Sequence, residues 1–334
     1  MKKPPPTDLQ IFGAATLLRQ LDVLLAEAPG AAAAEDIECI HRMRVATRRL
    51  RAGLTIFESQ LPQKRAARWR EQVQKLTRAL GAARDADVQI ERVQTFYRAL
   101  PPGTERPGVC RLLLRMRQQR QELQPRVRRT LARFDKSGTA QSMHDTLAPV
   151  AALKEAQVSS PAGVFPWAEP WILRRLDEFL AFGQFIPQPE AEKELHECRI
   201  AGKRLRYTLE IFAECFPDGF KQPLQVLRKA QDLLGRIHDA DVWRITLPEL
   251  VAQERQRTLE YYGTLRPFSR IEPGLLAFGQ HCQEDRRAAH AELVTAWAEW
   301  ERRQIWTSLR QSAAAATPEV PHESNPDSTT AADA

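Results

Sequence analysis

The sequence predicts an all-α protein built from two tandem, pseudo-symmetric helical bundles of about four to five helices each. Three observations lead there. The chain is rich in Leu, Ala, Arg, Glu and Gln and has only 15 glycines in 334 residues, a composition that favours helix because these side chains lose little rotamer freedom in it. Many of its 23 prolines stand between apolar-periodic stretches, as at Pro101, Pro102, Pro161, Pro166, Pro187, Pro189 and Pro217, where they separate helices. The chain also repeats itself. The block from His41 to Arg51 (HRMRVATRRLR) returns from His196 to Arg206 (HECRIAGKRLR) at an offset of 155 residues, and Leu80 to Val88 (LGAARDADV) returns as Leu234 to Val242 (LGRIHDADV) at an offset of 154.

Taken in order, periodicity and breakers place helices over Leu9–Glu27, Glu35–Glu58, Gln63–Leu80, Asp85–Arg98 and Arg106–Phe134 in the first copy. The second copy follows with Trp167–Phe182, Ala191–Ala213, Gln222–Leu234, Asp239–Tyr262 and Pro273–Arg310. The breaks at Gly81 to Asp85 and at Gly235 to Asp239 rest on capping, with the glycine closing one helix in a left-handed turn and the aspartate opening the next. One domain is therefore expected over residues 8–310, with a first repeat at about 8–135, a linker at about 136–166 and a second repeat at about 167–310. Ser159 to Gly163 are turn residues, and a short helix within Met143–Ala156 is compatible with the linker. Residues 311–334, rich in Ala, Thr, Ser, Pro and acids, offer too little apolar surface to order themselves and are expected to be disordered.

On the repeated helix, Met43, Ala46, Leu50, Leu54, Phe57 and Leu61 fall on one stripe, as do Cys198, Ala201, Leu205, Leu209, Phe212 and Phe216. These stripes are core. Beside them run His41, Arg44, Arg48 and Arg51, and in the second copy His196, Arg199, Lys203 and Arg206. Like charges at helical spacing repel, so a helix carrying them gains from an anion laid alongside. A solvated surface face is the plain alternative for one such helix; its duplication favours anion binding.

The net charge is +7, and setting aside Glu319, Glu323, Asp327 and Asp333 of the tail leaves +11 on the rest. That field attracts polyanions without choosing among them. Arg111, Arg115 and Arg120 belong to the most basic stretch and are candidates for a second wall of the same groove, with Arg286, Arg287 and His290 as a thinner counterpart. Trp167, Trp171, Trp297, Trp300 and Trp306 read as packing residues. Five scattered cysteines without a CxxC pair suggest neither a disulfide framework nor a zinc site, and reduced thiols suit a cytoplasm. No run of 18 apolar residues exists, so no membrane span is expected. His238, Asp239 and Asp241 could hold a divalent ion, but Arg84 replaces His238 in the first copy, so no metal or cofactor is expected.

The motifs H-x-x-R-V-A-x-R-R-L-R with L-G-x-x-R-D-x-D-V, and H-x-x-R-I-A-x-K-R-L-R-Y-x-L-E with Q-D-x-L-G-x-x-H-D-A-D, resemble those of CHAD, the conserved histidine α-helical domain, over about Leu9 to Arg310. The resemblance implies a compact pair of bundles around a basic central channel, and binding of inorganic polyphosphate at cytoplasmic granules. It implies a polyphosphate site at His41, Arg44, Arg48, Arg49, Arg51, His196, Arg199, Lys203, Arg204 and Arg206, with Arg84, Tyr207 and His238 as secondary candidates. Without the E-x-E-x-K signature of the CYTH triphosphatase domain, a stand-alone, non-catalytic member is expected. Three rival readings remain open at this point. One is a nucleic-acid-binding helical protein, the second is a metal-dependent polyphosphate-processing enzyme, and the third is a scaffold whose acidic tail recruits a partner.

Overall fold

The computed structural model describes residues 6–34, 36–153, 163–216 and 219–314. The described residues form ten α-helices and no strand. The first five are α1 (Asp8–Ala33), α2 (Ile37–Ile56), α3 (Gln63–Ala99), α4 (Arg106–Lys136) and α5 (Thr139–Ala151). The second five are α6 (Phe165–Leu180), α7 (Glu192–Phe212), α8 (Lys221–Tyr262), α9 (Glu272–Arg302) and α10 (Ile305–Ala314). Side-chain caps fix the first two: Thr7 and Gln10 make a reciprocal capping box on α1, and Asp36 accepts from the Glu38 amide at α2.

Four expectations change. The helices expected to break at Gly81 and Gly235 do not: α3 and α8 run straight through. A left-handed cap requires positive φ, which among the described residues only Gly138, Gly263, Ala34 and Gln304 adopt. Burial of Leu76, Leu80 and Ala83 on one face of α3 outweighs the cost of about 1 kcal/mol that an internal glycine imposes. At Gln304 (φ 54°) the single helix expected over Pro273–Arg310 divides into α9 and α10. The stretch expected to be a linker contains α5, which packs on α1 through buried Met143 and Leu147, much as α10 packs on α6. The expected tail begins with ordered helix as far as Ala314, where Ala313 is buried; residues 315–334 lie outside the described residues. Trp297, Trp300 and Trp306 are buried around Phe179 as expected, whereas Trp167 is exposed.

Both predicted stripes of α2 and α7 are core. They include Phe57 and Phe212, equivalent residues of the two copies, whose rings meet edge-on at 6.3 Å with Phe12 stacked on Phe212. Equivalent residues meeting each other mark a pseudo-two-fold axis. The far ends of the long hairpins close a second core of Val93, Val109, Leu112, Trp243, Leu275 and Phe278. There Gly108 of α4 lies directly against Gly274 of α9, again one residue from each copy: a Cβ on Gly108 would sit 2.0 Å from the Ile271 carbonyl oxygen, and one on Gly274 would sit 1.9 Å from that of Glu105. The two halves thus touch at two places, with a space left between. By length and composition α1 could cross a membrane, but here Leu17, Leu21 and Leu24 are buried in the first core.

Candidate functional site

Between the two contact regions lies a cavity of about 1330 Å³ lined from both copies. Arg44, Arg48 and Arg51 come from α2 and Arg199, Lys203 and Arg204 from α7, so the two basic stripes share one channel. His41, Arg84, His196, Tyr207 and His238 also line it. Nine arginines and lysines face four carboxylates around the wall, so unlike charges cannot neutralise it from within.

The geometry repeats across the axis. Arg44 lies along α3 at Gly81, with Nε 3.7 Å from where a Cβ would stand, and Arg199 lies along α8 at Gly235 at 3.8 Å. The motif glycines therefore provide flat helix surface for the two channel arginines. The first motif aspartate serves the same arginine: Arg44 Nη2 donates to Asp85 at 3.0 Å, and Asp239 faces Arg199 electrostatically. The second aspartate braces the following helix, through Arg120 Nε to Asp87 at 2.7 Å and Arg286 Nε to Asp241 at 2.5 Å. The motif is thus a bracket for guanidiniums.

The channel wall also contains buried nitrogens. Arg44 Nε and Arg199 Nε, packed on the two motif glycines, and Arg84 Nη1 and His41 Nδ1 make no hydrogen bond among the described residues. A buried, unsatisfied polar group costs on the order of 1–3 kcal/mol, more when charged, so these side chains are held in the wall at a cost that an anion in the channel would offset. Burial, and then Arg199, Arg48 and Arg44, push the Lys203 ammonium down to about 6. Burial with the charges of Arg199, His196 and Lys203 holds His238 down to about 4. His238 and His196 consequently share one proton between neutral rings, Nδ1 to Nδ1 at 3.0 Å. In the first copy Arg84 takes the place of His238 and, after burial, is the largest influence lowering His41.

Several candidates lie elsewhere. Arg49 Nε donates to Glu210 at 2.8 Å and Arg206 sits 3.8 Å from the same carboxylate, so this pair bridges α2 and α7 outside the channel. Arg111 and Arg115 hold Glu254 rather than forming a second wall, and Arg120 and Arg286 are the braces already described. Arg287 is exposed and His290 buried, and neither reaches the channel. The channel instead takes Met116 and Gln119 from α4. Asp241 points at Arg286 and His238 at His196, so the three residues weighed as a metal cluster diverge. Two lining arginines escape sequence reasoning. Arg236 follows the motif glycine, but its first-copy counterpart is Ala82, so the repeat hides it. Arg175 of α6 stands outside both repeated blocks and only the tertiary fold reveals it.

Solved structures share this architecture. The crystal structure of the CHAD domain from the plant Ricinus communis superposes with a TM-score of 0.60 at 20% identity, covering 94% of this chain and 94% of that one. PptA from Streptomyces chartreusis gives 0.57 at 18% identity, covering 88% of this chain and 99% of that one. The comparison with curated proteins gives no significant match. The CHAD domain family model matches residues 15–248, a span that takes in both pairs of repeated motifs, with no CYTH domain detected, and the chain therefore belongs to the CHAD domain family.

Proposed function

We propose that the protein binds inorganic polyphosphate in the channel and holds it without cleaving it. The observation that carries this reading is the pair of equivalent cationic stripes facing one another across one channel, with nine arginines and lysines against four carboxylates in its wall. A flexible chain bearing one negative charge per phosphate fits such a slot. Its affinity is the sum of charge-assisted hydrogen bonds and counterion release. Nucleic acid is the less suitable ligand, because Tyr207 and Trp243, the lining residues with large aromatic rings, are both buried and offer no open platform for bases. Phosphoanhydride cleavage relies on carboxylates gathered to hold Mg²⁺, whereas Asp85 in the channel wall is engaged by Arg44 and no three His, Cys, Asp or Glu side chains come together as a metal cluster among the described residues. On this reading the protein sits with polyphosphate granules in the cytoplasm.

The test is competition at physiological salt between long-chain polyphosphate, orthophosphate and duplex DNA, with a hydrolysis assay in Mg²⁺ or Mn²⁺ alongside. Long chains should displace both competitors, with no phosphate released. Binding of DNA as tight as that of polyphosphate, or turnover, would contradict the proposal.

A pH dependence follows from Lys203. Its ammonium is held down to about 6 in the empty channel, and a bound polyanion favours the charged form, so its pKa is higher in the complex. Binding near pH 7.5 should then take up protons, and affinity should rise as pH falls from about 8 towards 6. Calorimetry in buffers of different ionisation enthalpy reads this uptake directly. Lys203→Arg, which is charged throughout, should abolish most of it; an unchanged uptake would refute the assignment.

A further inference from the structure

Beyond the channel, the second copy carries a feature that the first lacks. With the 154-residue offset that relates Gly81 to Gly235, the end of α3 at Ala99 corresponds to position 253 of α8, yet α8 continues to Tyr262. This extension lies past the end of the family match at residue 248. It supplies Arg257, Thr258, Tyr261 and Tyr262 to a separate cavity of about 660 Å³, completed by Arg111 and Arg115 of α4 and by Arg270. That volume falls in the range of small-molecule sites, roughly 300–1,000 Å³.

Behind the cavity wall Glu254 is buried and held by three of these guanidiniums at once: Arg111 Nη1 at 3.1 Å, Arg115 Nε at 2.5 Å and Arg257 Nη1 at 2.7 Å. One carboxylate cannot neutralise three arginines. It fixes their positions, and with Arg270 added the four arginines still outnumber Glu254 and the lining carboxylate Glu260 two to one. The arrangement therefore resembles a preorganised anion cradle more than a stabilising ion pair, which would use one cation per carboxylate. Duplication does not explain it. At the 166-residue offset that relates Gly108 to Gly274, the positions matching Arg111 and Arg115 are Ala277 and His281, and the latter stacks on Phe96.

The other half of the cavity is aromatic and open. Tyr261 is 81% exposed and Tyr262 56%, more than Trp167, the other exposed large ring among the described residues. Their rings meet edge-on at 4.7 Å. Exposed rings beside fixed guanidiniums are what a ligand with both a planar π-face and a phosphate requires.

We propose that this cavity binds a nucleoside phosphate, with the base against Tyr261 and Tyr262 and the phosphates on the arginines gathered around Glu254. The proposal stands independently of what occupies the channel. The experiment uses the full chain carrying Arg48→Ala and Lys203→Ala, so that the channel competes less for anions. ATP and inorganic tripolyphosphate are titrated into it by calorimetry. ATP should bind more tightly than tripolyphosphate. Adding Tyr261→Ala, a change at a solvent-exposed ring that leaves the fold intact, should weaken ATP by about tenfold, the loss of one base stacking contact. Tripolyphosphate binding should be unchanged, and Tyr261→Phe should restore ATP. Arg257→Ala should weaken both ligands. Equal affinity for ATP and tripolyphosphate, indifference of ATP to Tyr261→Ala, or binding of a single-stranded oligonucleotide without binding of ATP would each overturn the proposal.

Discussion

Replacing Arg44 and Arg199 together with alanine should weaken long-chain polyphosphate binding by roughly two to four orders of magnitude, since each charged hydrogen-bonding group contributes about 1.5–3 kcal/mol. The same variant should fold normally and unfold no more easily than the parent. The reason is electrostatic. Arg44 and Arg199 are buried close to Arg48 and Lys203, and burial and those like charges oppose their ionisation. Removing them relieves repulsion that Asp85 and Asp239 offset only in part. A residue kept for stability would behave in the opposite way, with lost folding free energy and little change in binding. Denaturant unfolding and polyphosphate titration of one preparation separate the two outcomes. A less stable variant with unimpaired binding would show that the arginines are structural.

The second large effect is expected at the glycine contact that closes the channel. Gly108→Ala would force a methyl group to within 2.0 Å of the Ile271 oxygen, and Gly274→Ala to within 1.9 Å of the Glu105 oxygen. Both obstacles are backbone, so neither can rotate aside. The helices must separate, and overpacking of this kind costs about 3 kcal/mol or more. Each variant should therefore lower the unfolding free energy by at least that amount. Gly103→Ala is the control, because its Cβ would meet the far end of the flexible Glu105 side chain and, at an ordinary contact distance of 3.9 Å, the Pro101 oxygen, and it should stay within about 0.5 kcal/mol of the parent. Equal stability of Gly108→Ala and Gly103→Ala would show that α4 and α9 are not in close contact.

The helical stripes and the repeat were legible because they are periodic and local. Met43, Leu50 and Leu54 had to share a face with each other whatever they packed against, and they do. The basic stripe was legible for the same reason, from His41 through Arg51 and from His196 through Lys203, though its last member Arg206 turns to Glu210, as does Arg49, a candidate by resemblance alone. What failed was inference from residue type without tertiary context. Gly81 and Asp85 have the chemistry of a helix boundary, but their role is set by Arg44, thirty-seven and forty-one positions away in sequence. Arg111, Arg115 and Arg120 looked like one basic wall because their acidic partners, Glu254 and Asp87, lie on other helices. The close approach at Gly108 left a trace in the sequence, a Pro-Gly pair near the start of each helix at Pro107-Gly108 and Pro273-Gly274. The wider offset of that pair separates it from the repeated blocks.

The central claim is that both copies build a single polyphosphate site. Its most direct test is calorimetric titration with polyphosphate of defined length, in the parent chain and in variants altered in one copy at a time, Arg48→Ala or Arg199→Ala. A shared channel predicts one ligand per protein and a weakened affinity for that one ligand in either variant. Two ligands per protein, with one binding event surviving intact in each variant, would contradict it.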